Sequence, residues 1–166
     1  MSSISPATVT WLRPMVGFVI LLGCNTAMGQ AANLQETEAQ EIERLLKTQV
    51  DCWNREDING FMQTYWKSDK LTFSGSGKTT RGWQATLDQY KKSYPAGSMG
   101  KLHFEDLEVE LLSKRVALVL GRWHLDLQGE KKEGNFSLVL KKMKQGWKIV
   151  HDHSSTLEEE DEEDAG

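Results

Sequence analysis

Four residues in the C-terminal half are of types that do chemistry: Arg122, His124, Asp152 and Ser154. A guanidinium is a planar fork of donors suited to an anion, and a histidine or aspartate can take or give a proton. Side chains alternate between faces along a strand. Leu118, Leu120, Arg122 and His124 therefore share one side of their segment, with Val119, Trp123 and Leu125 on the other. By the same count Val150, Asp152 and Ser154 share a side, opposite Trp147, Ile149, His151 and His153. A single bulge would invert either assignment. If Arg122 and Asp152 face each other, two readings stand. One is a ligand site in which Arg122 holds a small polar or anionic group and Asp152 or His124 is the general base. The other is a salt bridge that orders the strands, because buried charges are costly unless paired.

Other constellations are weaker. His151 and His153 are spaced to project two imidazoles to one face, but a catalytic zinc needs a third ligand. His124 or His103 supplies one only if parity and strand order cooperate, so no metal is assigned and surface or interface histidines are expected. Cys52 stands next to Trp53 in a helical pattern with no electropositive neighbourhood, which marks a buried structural thiol. There is no glycine-rich phosphate loop, nucleophile elbow or cysteine metal motif, and no cofactor is implied. Lys141, Lys142 and Lys144 cluster at a hairpin turn, where solvated lysines are ordinary, so no nucleic-acid partner is expected.

The elements that must hold these residues follow from periodicity. Ile42, Leu45, Leu46, Val50 and Trp53 form one stripe of an amphipathic helix over residues 34–54. Asp57 is a good N-cap for a second helix from Ile58 to about Lys67. Residues 69–74 read as a short strand ended by the turn Gly75 to Gly77. Thr80 can cap a third helix over residues 81–94, stopped by Pro95. The rest alternates as strands: residues 101–112 with a bulge near Asp106, then 116–127, 134–142 and 147–155. Helices followed by antiparallel hairpins make an α+β domain.

The chain has 166 residues, 39% hydrophobic and 27% charged, with two cysteines and three prolines. That composition excludes wholesale disorder, a collagen repeat and a disulfide scaffold. The net charge of −4 is unevenly placed, since Glu158 to Asp164 are seven consecutive carboxylates. Such a block repels itself and stays solvated, so residues 158–166 are expected to form a disordered acidic tail. At the other end Arg13 precedes the apolar run Met15 to Gly23, too short for a span of ~20 residues. Small residues follow, as in a secretory signal peptide. Residues 1–31 are expected to be a leader, residues 32–157 the domain, and the location periplasmic or extracellular. The alternative is a lipoprotein signal ending at Cys24, the one route to a membrane.

The order of elements over about 120 residues resembles the nuclear-transport-factor-2-like (NTF2-like) fold. Trp53, Asn54, Asp57, Gly60, Phe61, Met62 and Tyr65 resemble the first-helix turn of its SnoaL-like and DUF4440 families. Gly121, Arg122 and Trp123, and the segment Gly146 to Ser155, resemble their closing strands. The last segment also resembles the association domain of calcium/calmodulin-dependent kinase. The resemblance implies a cone, in which three N-terminal helices pack on a strongly curved antiparallel sheet around a pocket. It implies that Arg122 and His124 point inward with Val150, Asp152 and Ser154, and that Tyr65, Trp66, Trp83 and Tyr90 sit on helices roofing the pocket. The site it suggests has Asp152 and His124 as catalytic groups, with Arg122, Tyr65, Trp83, Tyr90 and Ser154 binding ligand.

Ketosteroid isomerases of this fold use an Asp base near the first strand and a Tyr oxyanion donor. Here no carboxylate lies between Asp69 and Asp88, and Gln49 stands where the Tyr would fall, so that chemistry is not carried over. The function expected is an exported, homodimeric domain that binds a small organic ligand, anionic if Arg122 engages it. The alternatives are a cofactor-free lyase, isomerase or hydrolase using the same pocket, and an oligomerisation module. This fold serves many activities, so the resemblance alone does not choose.

Overall fold

The computed structural model describes residues 24–157. The acidic run, and residues 1–23 of the expected leader, lie outside the described residues. Helix α1 (Cys24–Asn54) begins earlier than its apolar stripe suggests. Ile42, Leu46, Gln49 and Trp53 form the buried line along it, spaced by three and four residues as one helical face requires. Its end is tied to the sheet. The Trp53 indole donates to the Met99 carbonyl at 2.8 Å, while the Asn54 side chain bonds both the N–H and the C=O of Leu102.

Asp57 caps helix α2 (Ile58–Met62), accepting from the Gly60 N–H at 2.7 Å. The helix ends well before Lys67. Its next residues run beside the last strand instead, where Thr64 accepts from Ile149 and Trp66 donates to the Ile149 carbonyl. The sheet edge offers partners that override local helix propensity. Strand β1 (Thr72–Gly75) forms a hairpin with β2 (Lys78–Arg81), a strand the periodicity did not reveal. Helix α3 (Trp83–Ser93) therefore starts after Gly82, whose φ of 95° suits glycine. Thr80 is no cap; its hydroxyl bonds the Gln89 side chain at 2.6 Å.

Strands β3 (Lys101–Ser113), β4 (Val116–Leu127), β5 (Glu130–Met143) and β6 (Gly146–Ser154) form an antiparallel meander. The sheet order is β2-β1-β6-β5-β4-β3, with β1 parallel to β6. The fold is α+β, with the helices on one face of a curved, unclosed sheet. Of three register shifts in the described sheet, one closes β3 between Leu111 and Ser113, and the other two bear on the site. The expected one falls between Glu105 and Glu108, where Asp106 has a φ of 51°. The other is in β6, where pairing slips from Val139–His151 to Leu140–Ile149 and leaves Val150 as the extra residue. It inverts the alternation. Trp147 and Ile149 thus join the core on the side of Asp152, not the opposite face as strict alternation predicts. Cys52 is buried as expected, its sulfur accepting from Arg55. Among the described residues, no helix is long and apolar enough to cross a membrane.

Candidate functional site

The inner face of the sheet and the three helices enclose a cavity of about 210 Å³. Strand β4 contributes Trp123 and Leu125, and Ala117 and Val119 continue the same buried face. Gly121 belongs to this row for a packing reason. A Cβ there would stand 2.6 Å from the ring of Phe136, its partner on β5. Trp53, Phe61, Phe73, Phe104, Trp123 and Phe136 supply most of the apolar wall. Their rings meet largely edge-on, as aromatic quadrupoles prefer: Trp53 and Phe61 have centroids 5.1 Å apart, Phe61 and Tyr90 5.2 Å.

Among the described residues, one charged side chain lines the cavity, that of Asp152. It follows the β6 bulge and faces inward, where it is 4% exposed. The Tyr65 hydroxyl donates to one carboxylate oxygen at 2.6 Å and the Ser154 hydroxyl to the other at 3.0 Å. Burial pushes the Asp152 carboxyl up to about 6, against the opposing pull of these two hydrogen bonds and of the His153 charge. Tyr65 is held well above its ordinary range by burial and by the Asp152 charge. Tyr90 is shifted the same way for the same reasons, and its hydroxyl also interacts with Tyr65. The cluster is a carboxyl that changes protonation near neutrality beside two phenols that keep their protons. It can accept a hydrogen bond from a ligand or exchange a proton with it.

Tyr65, Tyr90, Asp152 and Ser154 are thus brought together, but three other expected site residues are not. Arg122 and His124 point to the outer face, the reverse of the parity the resemblance implies. There Arg122 pairs with Glu133 at 3.1 Å, and the His124 Nδ1 donates to the same carboxylate at 2.8 Å. The expected contact of Arg122 with Asp152 does not exist. Trp83 does not line the cavity either. It is buried in the core, where its indole N–H donates to the Met62 carbonyl at 2.8 Å and Lys67 lies over its ring. Gln49 is a cavity residue that the pattern alone did not single out. It is 2% exposed and donates to the Thr64 hydroxyl at 3.0 Å. A buried amide on an apolar stripe was the available signal. His151 bonds the Thr72 hydroxyl, and it lines an outer depression with the exposed His153.

Among the described residues, no lysine, arginine or histidine lines the cavity. The expectation of an anionic ligand rested on Arg122, which does not line this cavity.

Comparison with known proteins agrees with this architecture. The profile of the SnoaL-like domain matches residues 42–158. An NTF-2 like protein of unknown function from Shewanella oneidensis is 40% identical, over 70% of this chain and 98% of that one, with a TM-score of 0.68. An NTF2-like superfamily protein from Salmonella enterica is 20% identical over 80% and 99% of the two chains, TM-score 0.64. An NTF2-like protein of unknown function from Pseudomonas putida is 16% identical over 76% and 91%, TM-score 0.63. These last two likenesses are of fold alone. No curated protein matches the chain.

Proposed function

The chain belongs to the SnoaL-like domain family of the NTF2-like superfamily, and from that premise we propose that its cone binds a small, uncharged, largely apolar organic molecule. The observation that carries this reading is the buried carboxylate of Asp152, held by two hydroxyls at the polar end of an aromatic cavity. Small-molecule sites combine an apolar wall with a few convergent polar groups in this way. The volume of about 210 Å³ is below the roughly 300–1,000 Å³ of drug-sized sites, which limits the ligand to a ring system of modest size. A ligand hydroxyl or other donor would meet the carboxylate, and its rings would stack on the wall.

A second reading has its own support, the position of the Asp152 carboxyl at about 6. A group titrating near neutrality inside a cleft suits general acid–base catalysis. In a cofactor-free isomerisation or elimination, Asp152 would take a proton from the ligand and Tyr65 would hold the carboxylate in place. His124, on the outer face, has no part in such a step.

We include in the proposal that the domain is exported and pairs with a second copy. The apolar run Met15 to Gly23 supports export. Leu120, 42% exposed on the outer face, supports pairing. Intact mass of the secreted protein and sedimentation at several concentrations check the two points.

The test of ligand binding is a thermal-shift screen of uncharged and anionic single-ring and two-ring compounds. Uncharged compounds should stabilise the wild type, by about 2.7 kcal/mol at a hundredfold excess over Kd. Asp152→Asn and Tyr65→Phe should reduce that shift while remaining folded. A screen in which only anions bind, or in which both variants bind as well as wild type, overturns the reading.

A further inference from the structure

On the outer face of the sheet, away from the cavity, two histidines and a glutamate converge. His103 of β3 is the direct cross-strand partner of His124 of β4. Glu105, two residues after His103, lies on the same side of the same strand. Its carboxylate oxygens stand 3.3 Å from the His103 Nε2 and 3.2 Å from the His124 Nε2. One ligand atom from each of the three residues lies within 4.8 Å of the others. From this geometry we propose that His103, Glu105 and His124 bind a divalent transition-metal ion of the zinc class.

Three observations carry the proposal. The first is spacing. Nitrogen and oxygen ligands about 2.0–2.2 Å from a tetrahedral zinc stand roughly 3.4 Å from one another, close to the two distances found.

The second is the surroundings of His124. Its Nδ1 lies 2.8 Å from a Glu133 oxygen. Its Nε2 is buried and, among the described residues, has no hydrogen-bond partner, although a Glu105 oxygen is 3.2 Å away. A cation bound by that nitrogen and that oxygen would satisfy both. A carboxylate on the far nitrogen of a ligating histidine fixes ring and tautomer in many metal sites, and Glu133 is placed for that role. Arg122, on the other Glu133 oxygen, holds it there.

The third is access. His103 and Glu105 are more than half exposed, whereas the His124 side chain is 18% exposed. The two imidazoles are stacked with centroids 4.5 Å apart and planes 7° from parallel. His103 has room to tilt from the stack so that both lone pairs meet at one ion. Solvent would fill the remaining position. Two imidazoles and one carboxylate suit zinc and its neighbours better than calcium or magnesium, which prefer all-oxygen sites.

The experiment uses the full, untagged chain, stripped with a chelator and titrated with zinc sulfate by calorimetry; cobalt is followed in parallel by its visible absorption. The expected result is one zinc per chain at micromolar concentration and a cobalt spectrum typical of imidazole and carboxylate ligation. His103→Ala and Glu105→Gln should each weaken binding at least about tenfold, and Glu133→Gln about tenfold through its hold on His124. His151→Ala should change nothing. The metal-free melting temperatures of His103→Ala and Glu105→Gln should match wild type, since both side chains are largely solvated. No stoichiometric binding to the wild type overturns the proposal. So does zinc affinity that survives His103→Ala and Glu105→Gln unchanged, which would locate the ion elsewhere, for instance on the acidic run Glu158 to Asp164.

Discussion

Strand β4 presents two different environments one residue apart. Trp123 and Leu125 face an aromatic cavity in which Asp152 is the one charged side chain among the described residues. Arg122 and His124, their neighbours in the chain, face outward into a cluster where two carboxylates, Glu105 and Glu133, serve one guanidinium and two imidazoles. Basic side chains are thus kept where solvent and opposite charge are available. The carboxylate is admitted inside because two hydroxyls donate to it and because its proton can return when the desolvation becomes costly. The two faces hold ionisable groups by different means, and substitutions on them should differ in size and in pH dependence.

The largest contrast is in packing. Phe136→Ala empties part of the inner wall and should cost about 3–5 kcal/mol, read from the urea midpoint. Leu120→Ala, at a side chain 42% exposed on the other face, should cost well under about 1 kcal/mol. Similar costs would break the division between the faces. A loss at Leu120 that grows on dilution would instead report pairing of two copies through that face.

Next in size is the pH effect of the inner carboxylate. The folded Asp152 value of about 6 lies above the ordinary 3.8, so between these values the folded state binds the proton more tightly. Stability from this group therefore falls as pH rises through that window. About two units correspond to roughly 3 kcal/mol as an upper bound. Asp152→Asn keeps an acceptor for Tyr65 and removes the charge. It should raise stability above pH 6 relative to wild type, and the gain should vanish below pH 4. A gain independent of pH would show that the charge is not what limits stability there. Ligand binding should be lost in the same variant, the usual conflict between a functional group and stability.

Much of the outer frame was legible in the sequence, and the facing of its side chains was not. The bounds of β4, the Asp57 cap and the bulge at Asp106 each have a local signal: alternation between turns, a side-chain oxygen before a helix, a slip in alternation. The parity of β4 has none. Leu118 and Leu120 alternate with Val119 and Leu125, so the strand is apolar on both sides and carries no label for inside. The label is Gly121, and it becomes readable only once the register places it against Phe136. In β6 the adjacent Ile149 and Val150 hide the bulge, since either could be the extra residue. The resemblance places Asp152 inward, where it lies; the bulge comes before it and brings Trp147 and Ile149 to the same side. The four residues of β2, Lys, Thr and Arg, carry too little pattern to mark a strand, and nothing local ends α2 at Met62, because the partner of the residues that follow, Ile149 on β6, lies far along the chain.

Gly121 gives a third, smaller test of the same division. Gly121→Ala places a methyl 2.6 Å from the Phe136 ring and 2.9 Å from a Leu107 methyl. Overpacking of this kind costs about 1–3 kcal/mol. A strand alanine would otherwise be better than glycine by less than about 1 kcal/mol, so the sign decides the matter. A stabilised variant would mean that the inner wall yields easily and that the cavity is not rigid.

The smallest effect is expected at Arg122, and it is the most telling. The guanidinium and Glu133 are 38% and 44% exposed, so their ion pair is a surface one, the kind that contributes about 0.2–1 kcal/mol. Arg122→Ala should lower stability by no more than that, and salt should erase most of the difference. Because the arginine points away from the cavity, any compound that stabilises the wild type through Asp152 should stabilise Arg122→Ala to the same extent. An arginine that held the ligand would behave oppositely: the variant would melt normally and lose the ligand-induced shift. The thermal-shift comparison of Arg122→Ala with Asp152→Asn, made with one compound, thus separates the two faces by function. Loss in the aspartate variant alone places recognition inside the cone, and loss in the arginine variant alone would move the binding site to the outer sheet.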